Sequence, residues 1–282
     1  MFTAVMMVYN WDFAKLSTEK YETNEYEIST DFFNISIDTD TADIVFCQAE
    51  DGDCKVVCYE PENAKHSVTV QDGTLTINEV DERKWHDYIG IHFDSPKITV
   101  HVPQNVYGAL CVKSSTGDVE IPKGFNFESV DIAVSTGDIR VENVFAGMLD
   151  LSVTTGEVTV TDVVCEGDVK INVSTGKVAM TDIQCKNVMT NGSTGDISLK
   201  NVIAKEKFSI ERSTGDVKFD GCDASEIFVQ TDTGNVTGSL LSEKVFIIET
   251  STGNVSVPNS KTGGKCMITT STGDIEIIEP GR

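Results

Sequence analysis

Three sets of residues in this chain have the types and spacing to do chemistry. The first is a polar row that follows nine regularly spaced glycines: Asp118, Asp138, Glu157, Lys177, Asp196, Asp216, Asn235, Asn254 and Asp274. Carboxylates stacked at a strand spacing can hold Ca²⁺ together with carbonyl oxygens. The competing reading is structural, with short polar side chains satisfying turn backbone groups on a solvated edge. Lys177 interrupts the row and two asparagines dilute it. The unit also differs from the nonapeptide of Ca²⁺-binding β-rolls. No metal site is therefore assigned to the row.

The second set is eight cysteines. Cys165 and Cys185 hold equivalent places in adjacent units and should stack. Cys47 is expected opposite Cys54 across a hairpin, with Cys58 on the face of Cys54. Cys222 and Cys266 fall on inward positions, where a thiol behaves as a small hydrophobe. Free thiols, one or more bridges and a metal role all stay open, although no Cys-x-x-Cys or paired Cys/His spacing of the zinc type occurs. The third set is the histidines at 66, 86, 92 and 101, which all precede the repeats. His86, beside Trp85 and Tyr88, reads as a packing cluster in a cap or as a site. No Ser/His/Asp or Cys/His arrangement is evident, so no catalytic or cofactor-binding residue is assigned. The chain is read as a non-enzyme. A polysaccharide-acting enzyme with carboxylates in a side groove ranks third among the functions considered.

These residues are positioned by a repeat. A Thr-Gly pair recurs at Gly117, Gly137, Gly156, Gly176, Gly195, Gly215, Gly234, Gly253 and Gly273, at successive spacings of 20, 19, 20, 19, 20, 19, 19 and 20. Seven residues before each glycine stands an apolar residue: Leu110, Val130, Leu149, Val169, Val188, Phe208, Ile227, Phe246 and Cys266. Five before is aliphatic in all but Thr190, two after is always Val or Ile, and four after is apolar in all but Gly238. A period of two that restarts after a glycine is strand, turn, strand. The glycines are the structural turn residues, because glycine adopts the positive φ that β-branched neighbours resist. One such unit buries too little to fold alone, so stacking must supply the shared core. The fold class is therefore all-β: a single-stranded β-solenoid, read as a right-handed parallel β-helix. It has nine regular coils of 19–20 residues and an N-terminal β cap. The Gly-x-Val/Ile turn is invariant, whereas stretches eight to twelve residues later vary, such as Phe145–Met148, Glu166–Asp168 and Ala204–Lys207. Deviations on one edge mark the likelier recognition edge of a repeat array.

The segments Val134–Val144, Val173–Ile183, Gly192–Val202 and Arg212–Gly221 (VSTGDIRVENV, VSTGKVAMTDI, GSTGDISLKNV and RSTGDVKFDG) resemble the putative-adhesin family of bacterial β-strand-repeat proteins. The likeness spans about residues 105–278. It implies a β-solenoid, often behind an N-terminal membrane anchor and exposed at the cell envelope. It supplies no catalytic motif.

Three regions are expected: a tail over 1–19, a cap with degenerate coils over 20–105, and regular repeats over 106–282. Thr41-Ala42-Asp43-Ile44 stands where Thr-Gly-Asp-Ile would be. Residues 44–59 and 66–78 read as hairpins turned at Asp51-Gly52 and Asp72-Gly73. Phe2–Val8, followed by Tyr9 and Trp11, reads either as an ordinary strand or tail, or as the last turns of a membrane anchor begun upstream. The expected location is the cell envelope, anchored through that upstream segment, with a cytoplasmic scaffold as the alternative.

With 45 acidic against 22 basic residues, the net charge is −23. That excludes nucleic acid and direct contact with anionic lipid as partners of the solenoid. A protein or a cell-wall component is the expected partner.

Overall fold

Alternating residues on either side of a Thr-Gly turn must share one inward face. The computed structural model, which describes residues 20–49, 52–81 and 95–278, shows that face as one continuous core. Among the described residues every regular element is a β-strand, and none is a helix. Each coil pairs in parallel with its neighbours. Leu110, Val130, Leu149, Val169, Val188, Phe208 and Ile227 are successive register partners. None of them is more than 2% exposed. Val119, Ile139, Val158, Val178, Ile197, Val217 and Val236 form a second such column after the turn. The chain is the stacked β-solenoid that the repeat dictates.

The ends of the stack depart from sequence order. The N-terminal strands are β1 (Tyr21–Ile28), β2 (Asn34–Thr41), β3 (Asp43–Gln48), β4 (Cys54–Pro61), β5 (Ala64–Gln71), β6 (Thr74–Asp81), β7 (Lys97–Val102), β8 (Val106–Thr116) and β9 (Val119–Ile121). The coil β2–β3 lies against β8 and β9 on one side and against β6 and β7 on the other. It carries Ala42 at the glycine position, where Ala42 N donates to Thr116 O. Beyond it, antiparallel strands close the stack: β5 pairs with β6, β4 with β7, and β1 with β4. Residues 66–78 form the expected hairpin, with Asp72 and Gly73 at φ 51° and 71°.

Residues 44–59 do not form a hairpin, because β7 lies between β3 and β4. Cys47 therefore does not face Cys54. Strand β7 occupies the edge of β3 that β4 would have needed. Asp51, the segment 82–94 with Trp85, His86, Tyr88 and His92, and the tail with Phe2–Val8, Tyr9 and Trp11 lie outside the described residues.

At the other end the last coil is also inserted. Strand Gly264–Thr272 pairs with Glu226–Thr233 on one side and Lys244–Thr252 on the other. The stacking order of the turns is thus Gly234, Gly273, Gly253. Cys266, Ile268 and Ile275 in the inserted coil are fully buried, whereas Phe246 and Ile248 at the end are only partly so.

Candidate functional site

The turn glycines form a ladder of their own. Their φ values run from 123° at Gly195 to 158° at Gly234. Each turn sits on the next, with Gly137 N donating to Thr155 O at 3.0 Å and Gly176 N to Thr194 O at 2.8 Å. A Cβ on Gly176 would lie 1.7 Å from Gly156 O, so side-chain volume is excluded as well as disfavoured by φ.

The polar row beside the glycines is consumed in the same ladder. Asp43 Oδ1 accepts from Asp118 N, Asp118 Oδ1 from Asp138 N, and Asp138 Oδ1 from Glu157 N, at 2.9, 2.8 and 2.8 Å. The row resumes at Asp196, whose Oδ1 accepts from Asp216 N, and runs through Asn235 and Asp274 to Asn254 N. A short carboxylate or amide reaches the backbone N–H one coil away. The residues that break the row, Glu157 and Lys177, have longer side chains. The row acts as turn capping, with one oxygen of each capping group committed to a backbone N–H.

A second polar row was not foreseen. Asn143, Asp162, Asp182 and Asn201 hold left-handed conformations at φ 48–56°. Asn143 Nδ2 donates to Asp162 Oδ2 at 2.7 Å and Asn201 Nδ2 to Asp182 Oδ1 at 2.8 Å. The signal was legible: Asn or Asp recurs six residues after the glycine in four consecutive coils, and these types tolerate αL best after glycine.

The variable edge follows this second bend, and here the surface changes character. Val106, Asn126, Phe145, Val164, Gln184 and Ile203 are register partners in one outward column. Val106 is 54% exposed, Phe145 43% and Val164 45%, with Met148 nearby at 40%. Phe145 and Val106, with Asn126, Glu128, Gly147 and Glu166, line a groove of about 560 Å³. Farther along the same edge Lys186 lies 3.8 Å from Glu206.

All eight cysteines are free. Burial pushes Cys54 up to about 11 and Cys58, Cys185 and Cys266 up to about 12, with Glu60 adding to the effect at Cys58. Cys185 also feels Cys165 on the neighbouring coil, which agrees with the expected stacking. Cys47 and His101, 54 residues apart in sequence, are register partners on β3 and β7, and Lys55 is the partner of His101 on β4. Sequence spacing had hidden this pair. Burial raises the Cys47 thiol, with Lys97 opposing, so the pair is not an activated thiolate.

The other histidine among the described residues, His66, is on β5 in the antiparallel lid that closes the N-terminal end of the stack. His66 Nδ1 and Glu60 Oε2 are 2.7 Å apart, and His66 Nε2 lies 2.9 Å from Thr39 Oγ1, which donates to Glu79 Oε2 at 3.1 Å. Glu60 is fully buried and His66 and Thr39 nearly so. This acid–imidazole–hydroxyl chain is closed to a substrate.

A stacked parallel solenoid with a capped turn ladder and one partly apolar edge defines the class of protein. The chain belongs to the toastrack DUF4097 family, which it matches over residues 32–180 and 165–282. Of three similar solved structures, one shares the fold at a TM-score above 0.5. A protein described as a putative adhesin from Parabacteroides merdae is 15% identical, with 93% of this chain and 98% of that one covered at a TM-score of 0.56. A putative adhesin from Bacteroides fragilis is 17% identical over 92% and 97% of the two chains, at a TM-score of 0.43. A putative lipid binding protein from Parabacteroides distasonis is 16% identical over 79% and 95%, at 0.42. No curated protein matches the chain.

Proposed function

We propose that the protein is a non-enzymatic binding or scaffolding module of the cell envelope, adhesin-like in operation. Its working surface is the edge carrying Val106, Phe145 and Val164. The carrying observation is that four of the ten exposed large hydrophobic side chains among the described residues, Val106, Phe145, Met148 and Val164, gather on this one edge. Exposed apolar positions grouped together and rimmed by polar groups are the usual mark of an interaction site. The rigid stack holds the column in one line, so a partner needs no ordering of the protein to bind.

The partner is a protein or a cell-wall component. The name attached to the P. merdae structure supports an adhesin-like role without specifying a ligand. Among the described residues no helix is long and apolar enough to cross a membrane. The likeness to the P. merdae protein supports the envelope reading.

Two measurements test the proposal. Purified protein should co-sediment with isolated cell envelopes, and the double variant Phe145→Ser/Val164→Ser should lose most of that binding while keeping its Tm. Cell fractionation should place the protein with the envelope. A purely cytoplasmic pool would favour a second reading, an intracellular scaffold, for which eight free cysteines suit a reducing compartment.

A further inference from the structure

The lid at the N-terminal end of the stack holds a cluster that the binding edge does not use. On β4 the alternation of a strand sends Cys58 and Glu60 to the same side. The chain then turns, and β5 brings His66 over them. Cys58 and Glu60 are completely buried and His66 is 3% exposed. One donor atom from each lies within 4.8 Å of the other two. A thiol, a carboxylate and an imidazole are the three donor types that zinc takes.

The far ends of these side chains are already held. Glu60 Oε1 accepts from Asn24 Nδ2 at 2.7 Å. His66 Nε2 meets Thr39 Oγ1, which is tied in turn to Glu79. Metal-binding imidazoles and carboxylates are fixed by such outer partners. The inner Glu60 Oε2 also accepts from His66 N at 2.7 Å, which holds it beside His66 Nδ1 and leaves its second lone pair for an ion. Tyr26 lies close enough to both Cys58 and Glu60 to feel their charges, and its hydroxyl donates to His66 O at 2.9 Å.

We propose that Cys58 Sγ, Glu60 Oε2 and His66 Nδ1 bind a divalent transition-metal ion of the zinc class.

On binding, the Cys58 thiol proton leaves to solvent, and the proton between His66 Nδ1 and Glu60 Oε2 moves to His66 Nε2 or, where Nε2 already carries one, to solvent, so that a thiolate, a carboxylate and a neutral imidazole face the ion. Three metal–ligand bonds form in their place, and no electron is transferred. Thiolate and carboxylate together neutralise a divalent ion, which suits a buried site. Sulfur and nitrogen donors disfavour Ca²⁺ and Mg²⁺. Tetrahedral zinc holds N and O ligands roughly 3.3 Å apart. The 2.7 Å pair opens to that by side-chain rotation. Three protein ligands leave the fourth position to water. Without the ion the His66–Glu60 hydrogen bond satisfies the same atoms, so the lid folds in either state. A buried site fills as the lid closes, so the metal must be offered during folding.

The test is to refold the full chain from denaturant with one equivalent of Co²⁺, followed by displacement with Zn²⁺. The expected result is a sulfur-to-cobalt charge-transfer band of 1:1 stoichiometry. It should be absent in Cys58→Ser, weakened at least tenfold in affinity in His66→Asn, and retained in Cys47→Ser/Cys111→Ser, which removes the two most accessible thiols. Zn²⁺ should raise the Tm of the unmodified chain. The proposal is overturned if the unmodified chain shows no band and no Zn²⁺-dependent shift. It is equally overturned if the band survives Cys58→Ser or vanishes with Cys47 and Cys111. Should Cys58→Ser fail to fold, the Cys47/Cys111 variant and the unmodified chain still decide.

Discussion

Arg212 Nη1 donates to the carbonyl of Val173 at 2.6 Å, reaching over Gly192 to a coil two levels away. The three residues occupy the same inward position, three before the turn glycine. Val134, Val153 and Val173 fill that position in the middle of the stack. In the next coil Gly192 removes the valine side chain, and Arg212 supplies the missing volume from the coil beyond. Arg212 is 3% exposed, and its Nε and Nη2 have no hydrogen-bond partner. Burial lowers its pKa, and Asp196 opposes that.

The substitution Gly192→Ala should therefore be severe. Its Cβ would lie 1.9 Å from both Arg212 Nη1 and Val173 O. A loss of about 2–4 kcal/mol is expected in urea unfolding, because backbone and guanidinium must both move. Arg212→Met keeps most of the volume and removes a poorly satisfied charge, so it should lie within about 1 kcal/mol of the parent or above it. If Arg212→Met loses as much as Gly192→Ala, the volume argument is wrong.

The turn ladder makes a graded prediction. Asp138→Ala leaves Glu157 N without its acceptor and should cost about 1 kcal/mol, whereas Asp138→Asn keeps an oxygen there and should cost less. Gly176→Ala should cost more than either, since its Cβ meets Gly156 O in the backbone of the coil below. Thermal unfolding of the three variants checks the order. None should be rescued by millimolar Ca²⁺, because the row serves the backbone.

How much of this was legible follows from what each level of structure depends on. The inward columns could be read directly, because a period of two held over nine coils leaves one consistent register. The role of the Asp row also followed, since a short acceptor after a glycine turn has a backbone donor within reach. Three features were hidden. The order of coils at the two ends depends on which edge is satisfied first, and Lys97–Val102 carries no mark that sends it between β3 and β4. The pair Cys47–His101 and the cluster Cys58–Glu60–His66 arise only from that order and from the turn before β5. Arg212 was invisible because a single charged residue in an inward column looks like an error of register until its neighbour Gly192 is considered with it.

Thiol labelling should sort the cysteines by burial. The thiolate reacts, and at pH 8 a thiol pushed to about 12 exposes only roughly one thiolate in ten thousand even before access is considered. Cys47 and Cys111 are the two that are only half-buried. A native alkylation at pH 8 should modify at most these two quickly, and denaturation should release all eight. Labelling should rise with pH, because deprotonation is what burial opposes. Fast native modification of Cys185 or Cys266 would contradict the packing of the core.

The inserted last coil predicts an inverted order of protection. A strand near the end of a chain is normally among the first to fray. Here Gly264–Thr272 is hydrogen-bonded on both sides, while Lys244–Thr252, earlier in the sequence, has a strand partner on one side only among the described residues. The side chains agree: Cys266 and Ile268 are fully buried, Phe246 and Ile248 only partly, and Ile247 is 46% exposed. Local opening of the outer coil needs only one ladder to break, whereas opening the inner one breaks two and empties the core beneath it. Amide hydrogen exchange followed by mass spectrometry should thus find peptides within 244–252 exchanging faster than those within 264–272. The difference should be largest at Ile247 and Glu249, where one side of the strand faces water. Equal protection in the two strands would mean that something covers the outer edge in solution. Faster exchange in 264–272 would mean that the coils stack in sequence order after all.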